Sequence, residues 1–321
     1  MLDFSHIINT PGIDIRYFEG DSQGTNLQVW QTWRKSRGTN WIFMLGVGAG
    51  GSGGCGYTNI GGADGGGGSG GGSGGQGSLF IPTIFVPDVL YIQCGTGGIN
   101  VTANAAGVNG SNTYIAIEPY TTANPLTTFL LCPGGTGGGF GVSGGSGQVG
   151  GAAGAAPTLG GNVLAGKGFF SAYVGQAGGI GGAAGASPTS NVSFPVTGLM
   201  VTGGAGGGSA TAAVFSNGAS ITLATATNGS EFFYTLPGGV AGSGSTPGTA
   251  GQTGITLKNF LMNTGGTGGG SSSDTSGSNS GQGGGGAPGC GGGGSGGAKL
   301  TGMGTFGGDG GDGFVWIISG E

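Results

Sequence analysis

Glycine recurs at every third position in residues 61–77, and this period limits the backbone conformations open to the segment. The positions are Gly62, Gly65, Gly68, Gly71, Gly74 and Gly77. A polyproline II helix repeats every three residues, unlike an α-helix or a strand. One edge of such a helix would carry no Cβ atoms, so a second backbone could lie directly against it. The pattern therefore predicts polyglycine II helices packed side by side.

Glycine-rich segments are usually flexible linkers, so the rest of the composition must decide whether this chain folds. Of the 321 residues, 91 are glycine, 35% are hydrophobic and 6% are charged. Charge-driven disorder requires few apolar residues and a high net charge, whereas the net charge here is −5. We expect an ordered chain in which glycine tracts hydrogen bond to one another, because buried N–H and C=O groups need partners.

Short apolar runs between the glycine tracts have the composition of β-strands. Three nearly identical units join such a run to a GGxGGG tract, which indicates stacked supersecondary units. These units are residues 130–139 (LLCPGGTGGG), 199–208 (LMVTGGAGGG) and 261–270 (LMNTGGTGGG). Other apolar runs lie at 79–93, 113–118, 221–225 and 231–236, and Pro82 and Pro87 interrupt the first of them.

No segment shows a sustained helical period, and good helix formers are rare. The predicted fold class is all-β or irregular, with short β-strands combined with packed polyglycine II helices in a sandwich or bundle, and almost no α-helix. Small side chains within the tracts are expected to face outward, away from the neighbouring backbones. Examples are Ser69, Ser73, Ala205 and Thr267.

The two ends of the chain differ from the middle. Alternating polarity in residues 27–33 and 41–47 predicts a β-hairpin. Residues 314–318 (FVWII) read as a strand that we expect to pair with 41–47 and to close the fold. We therefore divide the chain into a tryptophan-rich attachment region, 1–47, and a glycine-rich domain, 48–321.

Composition also argues against several functions. The seven basic residues form no stripe, so nucleic-acid binding is not expected. No apolar run reaches the ~20 residues that cross a bilayer, and the start lacks the pattern of a signal peptide. The cysteines have no CxxC spacing, so we expect free thiols in a protein assembled in the cytoplasm, with no zinc and no other cofactor. They are Cys55, Cys94, Cys132 and Cys290.

Catalytic and metal sites find little support in the sequence. The single histidine, His6, has no positioned partner of the kind that nucleophilic catalysis needs. Residues 307–315 (GGDGGDGFV) fit one copy of a calcium-binding nonapeptide, with Asp309 and Asp312 as ligands. Calcium-binding rolls need tandem copies, so we favour two aspartates on the outward side of a glycine helix. The chain is not expected to be an enzyme.

Aromatic clusters beside the glycine tracts are candidates for receptor contact, because aromatic side chains anchor many interfaces. The alternative for each cluster is packing at the ends of the glycine helices. The receptor-contact candidates are Tyr114, Tyr120, Phe169, Phe170, Tyr173, Phe232, Phe233 and Tyr234. Candidates for docking onto a larger assembly are Trp30, Trp33, Arg34, Lys35 and Arg37.

The succession of strands and glycine tracts resembles the glycine-rich virion proteins of tailed bacteriophages. Residues 33–50 (WRKSRGTNWIFMLGVGAG) resemble their N-terminal stretch, and residues 307–318 (GGDGGDGFVWII) resemble their closing strand. The resemblance implies a polyglycine II architecture like that of tail-fibre-tip adhesins, whose end loops touch the host receptor. It also implies a surface-exposed, non-catalytic tail fibre, tail tip or spike component that forms a homo-oligomer. Its partners would be other virion proteins and a host glycan or outer-membrane protein.

Three other functions stay open at this point. A capsid-surface fibre would share the virion context. An extracellular self-assembling filament or coat protein would need an export signal, or a fold that forms only in the oligomer. An ice-binding protein would need outward-facing Thr or Ser at regular spacing, whereas here these residues occur at different positions of the three-residue repeat.

Overall fold

The structure of the protein, a computed structural model, is all-β and has no α-helix in the residues that it describes. They are 12–20, 29–58, 64–101, 104–119, 127–143, 149–160, 164, 166–183, 186–188, 192–193, 198–211, 214–224, 233–243, 246–257, 262–272, 278–298 and 305–321. One 3₁₀ turn, Thr83–Phe85, is the only helical element in these ranges. None of their helices is long and apolar enough to cross a membrane. The prediction of an all-β chain with almost no α-helix is confirmed.

The strands are short and are spread along the whole chain. They are β1 (Ile13–Glu19), β2 (Gln31–Arg34), β3 (Trp41–Val47), β4 (Gln76–Pro82), β5 (Val89–Gln93), β6 (Thr113–Ala116), β7 (Thr128–Cys132), β8 (Thr158–Leu159), β9 (Phe169–Tyr173), β10 (Val192–Ser193), β11 (Ile221–Ala224), β12 (Phe233–Leu236), β13 (Thr256–Leu257), β14 (Met262–Asn263) and β15 (Phe314–Gly320). Glycine-rich segments separate most of them.

Two five-stranded antiparallel sheets pack face to face and form what we call the sandwich cap. Their strand orders are β1-β15-β3-β4-β9 and β2-β5-β6-β7-β8. Side chains from both sheets fill one buried core between them. This core includes Trp33, Ile42, Met44, Leu79, Ile81, Leu90, Ile92, Ile115, Leu130 and Ile317. Because β15 lies between β1 and β3, the expected pairing of the C-terminal strand with residues 41–47 is confirmed.

The predicted hairpin between residues 27–33 and 41–47 is wrong. Strand β2 pairs with β5 in the second sheet, whereas β3 lies between β15 and β4 in the first. Trp33 and Ile42 therefore enter the same core from opposite sheets. Alternating polarity tells which side chains point inward, and it is satisfied equally by a hairpin and by two strands that face each other.

Extended glycine-rich segments, which we call ribs, continue directly from the strands. Strand β3 runs into rib 48–57, β7 runs into rib 133–142, and rib 305–313 runs into β15. The three-stranded sheet β10-β11-β12 and the pair β13-β14 adjoin further ribs. The backbone N–H groups of the ribs donate mainly to carbonyls of other ribs.

Rib 65–75 shows the arrangement most clearly, because six other ribs surround it. From Gly66 to Gly75, the N–H groups donate to three ribs in succession, and this order repeats every third residue, whereas Gly65 donates to rib 202–210. The bonds run from Gly66, Ser69, Gly72 and Gly75 to rib 133–142; from Gly67, Gly70 and Ser73 to rib 174–183; and from Gly68, Gly71 and Gly74 to residues 289–295. Its carbonyls accept from ribs 48–57, 149–157 and 202–210. Ribs 48–57, 264–272 and 290–298 are enclosed in the same way.

Close approach of backbones explains why these positions are glycine. A Cβ atom on Gly68 would lie 2.1 Å from the carbonyl oxygen of Gly54, and one on Gly71 would lie 2.1 Å from that of Gly51. Both distances are far below any real carbon–oxygen contact. The enclosed ribs need glycine for its missing side chain, since the described glycines with positive φ lie elsewhere, at Gly12, Gly38, Gly166 and Gly289.

Small side chains also lie inside the array of ribs, so the prediction that they face outward is wrong. Ser69, Ser73, Ala205 and Thr267 are all fully buried. A rib that is enclosed on every side has no outward direction. The buried hydroxyls instead act as acceptors in place of carbonyls: Ser69 Oγ accepts the N–H of Gly181 at 3.1 Å, and Ser73 Oγ accepts that of Gln176 at 2.7 Å.

Candidate functional site

Three aromatic side chains lie together on the outer face of the first sheet, and we call them the aromatic face. Phe80 on β4 is directly opposite Phe169 on β9, so both project to the same side. Trp41 on β3 stacks on Phe80, with ring centroids 5.8 Å apart and planes 29° apart. Phe169 is 81% exposed, which makes it the most accessible of the three. Of the predicted receptor-contact residues, Phe169 is the one best placed to touch another molecule.

The other described candidates of this class lie nearer to the core. Phe170 is opposite the buried Leu79, so it lies on the inner side of the sheet, but at this edge strand it is still 36% exposed. Tyr173 packs against the buried cluster around Val47. Tyr114 is half-buried, and its hydroxyl accepts a hydrogen bond from Asn112 Nδ2 at 3.0 Å. Tyr173 and Tyr114 thus have structural partners within the chain.

Four candidates cannot be placed as surface contacts. Tyr120 and Phe232 lie outside the described residues. Phe233 and Tyr234 belong to β12, where they pair with Ala224 and Leu223, but their side chains lie outside the described part. Their proposed receptor contact stays a prediction.

The basic residues predicted for attachment converge on one cavity. Arg34, Lys35 and Arg37 line a cavity of about 520 Å³ between the end of β2 and the 3₁₀ turn. Of the two tryptophans in the same set, Trp33 is 2% exposed and lies in the core of the sandwich cap, and Trp30 is half-buried. The accessible chemistry of this set is therefore cationic.

The basic cavity and the aromatic face adjoin each other along the chain. Thr39, which lines the cavity, is two residues before Trp41. Thr83, on the opposite wall, directly follows Pro82, which pairs with Trp41. One end of the sandwich cap therefore presents both cationic and aromatic groups.

The two aspartates of the calcium-like motif bind backbone in this structure. Asp312 Oδ1 accepts the N–H of Gly97 at 2.7 Å, and Asp309 Oδ1 accepts that of Asn100. These bonds join rib 305–313 to the segment after β5. Asp309 is exposed as expected, but Asp312 is buried. Among the described residues, no three His, Cys, Asp or Glu side chains come together as a metal cluster would require.

The cysteines are free thiols and lie in the interior. Burial raises the pKa of Cys94 and of Cys132 to about 12. Burial also raises the pKa of Cys55 and of Cys290. A thiol acts as a nucleophile or metal ligand only when deprotonated, so these groups are inert at neutral pH.

The carboxyl group of Glu19, at the end of β1 in the cap, has a pKa above its ordinary value. Burial raises the pKa of Glu19; its hydrogen bond with Tyr17 lowers it, and the negative charge of Asp312 raises it again. Burial likewise raises the pKa of the Tyr17 phenol. The cluster lies where β1 ends, close to the join between the cap and rib 305–313.

Sequence reasoning missed several residues of this end of the cap. Phe80, Ile84 and Asp88 all lie in the apolar run 79–93. From the sequence alone, this run is predicted only to be a strand interrupted by two prolines. The role of these three residues depends on the chain crossing from one sheet to the other at Thr83–Phe85. The two prolines that flank this turn, Pro82 and Pro87, were the available signal.

No protein-family model matches the chain, and no curated protein is significantly similar to it.

Proposed function

We propose that this chain is a non-catalytic structural protein of a bacteriophage virion, a component of a tail fibre, tail tip or spike that takes part in recognising the host surface. Its ribs act as a rigid scaffold, and the sandwich cap carries the groups that meet other molecules. The observation that carries the proposal is the enclosed rib 65–75, whose donors rotate among three neighbours with a period of three.

We further propose that the ribs are polyglycine II helices. A polyproline II chain has three residues per turn and no internal hydrogen bonds, so its N–H groups point in three directions in succession. The rotation of donors along rib 65–75 has that period, and six neighbours are what a hexagonal array of such helices requires. The absence of positive φ at its glycines fits the left-handed form.

A scaffold suits this architecture better than an active site does. The interior consists of paired backbone, and its buried hydroxyls are engaged as acceptors for N–H groups. The buried thiols have pKa values raised well above neutral pH. Aromatic residues are enriched in protein interfaces, and the exposed Phe169 is held on a strand of the cap, where it could anchor a partner.

The experiment has two steps. Antibodies against the chain should label the tail or the surface of virus particles in electron micrographs. Purified protein should then bind susceptible bacterial cells, and Phe169→Ser should weaken that binding. Phe306→Ser is the matched control, since Phe306 is an exposed phenylalanine on rib 305–313, away from the aromatic face. Label confined to the particle interior, or no binding to any susceptible host, would contradict the proposal.

A further inference from the structure

A cluster of positive charge stands out in a chain that is acidic overall. The net charge is −5, and only seven residues are basic. Three of these, Arg34, Lys35 and Arg37, line the cavity of about 520 Å³ at the end of the sandwich cap. The ammonium group of a fourth, Lys167, lies 5.4 Å from the ring centroid of Phe85, in the turn that forms one wall.

Some polar groups of the cavity already have partners. Lys35 Nζ forms an ion pair with Asp88 Oδ1 at 2.9 Å and donates to the carbonyl of Val86 at 2.9 Å. The hydroxyl of Thr83 donates to the carbonyl of Thr39, whose own hydroxyl donates to the carbonyl of Ser36. Lys35 thus offsets the charge of Asp88, and the two threonine protons are occupied.

The guanidinium groups of Arg34 and Arg37 are different. Both arginines are exposed, and within the described residues neither guanidinium has an ion pair or a hydrogen bond. These two guanidinium groups therefore offer free N–H donors and positive charge, beside an exposed Asp88 carboxylate whose charge Lys35 offsets. Guanidinium N–H groups can only donate and always carry charge, so these two side chains match an oxyanion better than a neutral hydroxyl group.

We propose that this cavity binds the phosphate group of a phosphorylated saccharide. The planar fork of an arginine matches two phosphate oxygens at once, and two arginines match a dianion in charge. Ile84, which is 85% exposed at the rim, offers an apolar surface to the C–H face of a sugar ring. The aromatic face begins at Trp41, beside the cavity, and extends the surface available to a longer glycan.

This inference stands apart from the proposed place on a virion. A sugar-phosphate site would bind its ligand in a fibre, a coat protein or a free chain alike. Failure of particle labelling would leave the site intact, and failure of sugar-phosphate binding would leave the scaffold intact. The site also gives Arg34, Lys35 and Arg37 a ligand other than the virion partner that the sequence predicts for them.

Calorimetric titration of the full chain tests the proposal. Glucose 6-phosphate should bind in a saturable way and more weakly as NaCl is added, because salt screens the charges. Glucose should not bind, and inorganic phosphate should bind less tightly than the sugar phosphate. Arg34→Gln and Arg37→Gln should each lower the affinity by about tenfold or more, the usual loss for a charge-assisted bond.

Arg16→Gln provides the matched control. It removes the same charge from an exposed arginine, but one that pairs with Asp14 on β1. Its effect on affinity should stay within about twofold, as for other exposed pairs. Equal losses in all three variants would overturn the site, as would no binding of glucose 6-phosphate. Binding of a polyglutamate peptide in place of the sugar phosphate would also overturn it and would favour docking to an acidic protein segment. Thermal unfolding of each variant verifies that the fold is kept.

Discussion

In the sandwich cap, side chains fill the space between two sheets, and each backbone pairs with neighbours in the plane of its own sheet. In the rib array, backbone fills the space, and an enclosed rib such as 65–75 pairs with six neighbours around its axis. One chain thus uses two kinds of interior, joined end to end where strands become ribs. The sheet needs large apolar side chains on alternate residues. The array instead needs residues without a side chain wherever a neighbouring backbone lies close.

This difference reverses what a substitution should do in each region. Removing methyl groups creates a cavity in the cap, but the ribs have few methyl groups to remove. Adding a methyl group is often tolerated at the edge of a side-chain core, but in the array it meets a backbone oxygen that is itself hydrogen bonded. Substitutions in the two regions should therefore differ in size, with the largest effect inside the array.

A single methyl group inside the array should be the most damaging change. Gly71→Ala would place Cβ 2.1 Å from the carbonyl oxygen of Gly51. Six neighbours hold the rib in place, so the clash cannot relax, and we expect a loss of about 3 kcal/mol or more, at the upper end of overpacking costs. Chemical denaturation followed by circular dichroism measures it.

Gly285→Ala is the control for that change. Gly285 lies on a rib as well, but a Cβ atom there would meet only Asp309 O and Thr253 Cγ2, both at 3.8 Å. We expect stability to be unchanged or to rise by about 0.4–1 kcal/mol, because alanine lowers the entropy of the unfolded chain. Equal destabilisation by both alanines would show that the ribs do not pack as described.

Truncation in the cap should produce the next largest effect. Leu79 is fully buried between the sheets, so Leu79→Ala should cost about 2–5 kcal/mol, from lost burial and the cavity left behind. Leu79→Met, which nearly preserves volume, should cost less than about 1.5 kcal/mol. If the methionine variant were as unstable as the alanine variant, the cap would not be an ordinary side-chain core.

A smaller effect should follow from deleting a buried hydroxyl in the array. Ser73→Ala keeps most of the volume but removes the acceptor for the Gln176 N–H, which lies 2.7 Å away. Because Gln176 is only partly buried, we expect the loss to lie near the lower end of the about 1–3 kcal/mol that an unpaired buried donor costs. Ser171→Ala on β9, where the serine is exposed, should change stability by less than about 0.5 kcal/mol. Urea denaturation of both variants makes the comparison.

The smallest effect should appear as a change in pH dependence. Partial burial raises the pKa of Glu19 above its ordinary value of 4.5 even though the residue is still exposed to solvent, so folding favours the protonated carboxyl. The contribution of Glu19 to stability is thus fully present below that value and is lost as the pH rises through the raised pKa. Glu19→Gln should therefore be more stable than the natural chain at neutral pH and equal to it at low pH.

Melting temperatures from pH 4 to 8 test this prediction, with Glu118→Gln as the control, since Glu118 is exposed as Glu19 is but lies outside the group of Tyr17, Glu19 and Asp312. A Glu19→Gln variant that loses stability at neutral pH would contradict the stated direction.

The sequence allowed the two kinds of interior to be predicted, but not how they are assembled. Strand composition and the glycine period indicated all-β structure and close backbone approach, and residues 314–318 pair with β3 as expected. The prediction of a hairpin was wrong because a period of two shows which side chains face inward but does not show which strand is the hydrogen-bonded neighbour. The prediction that Ser69 and Ser73 face outward was wrong because a period of three does not tell how many neighbouring ribs surround a rib.

The site depended even more on long-range placement. Arg34, Lys35 and Arg37 were identified from their charge, yet their cavity needs a wall from Thr83–Phe85, some 50 residues away along the chain. The aromatic face likewise forms only when β3, β4 and β9 are side by side. Phe169 alone carried a local signal, an aromatic pair next to a glycine.

Amide hydrogen exchange, resolved along rib 65–75, is the most direct test of interlocked ribs. Every N–H in this rib has a partner on a different rib, so we predict slow exchange at consecutive residues, matching the strands of the cap. A surface strand paired on one side would instead alternate between slow and fast. Exchange in 65–75 as fast as in an unstructured glycine peptide, while β3 and β15 stay protected, would contradict the account.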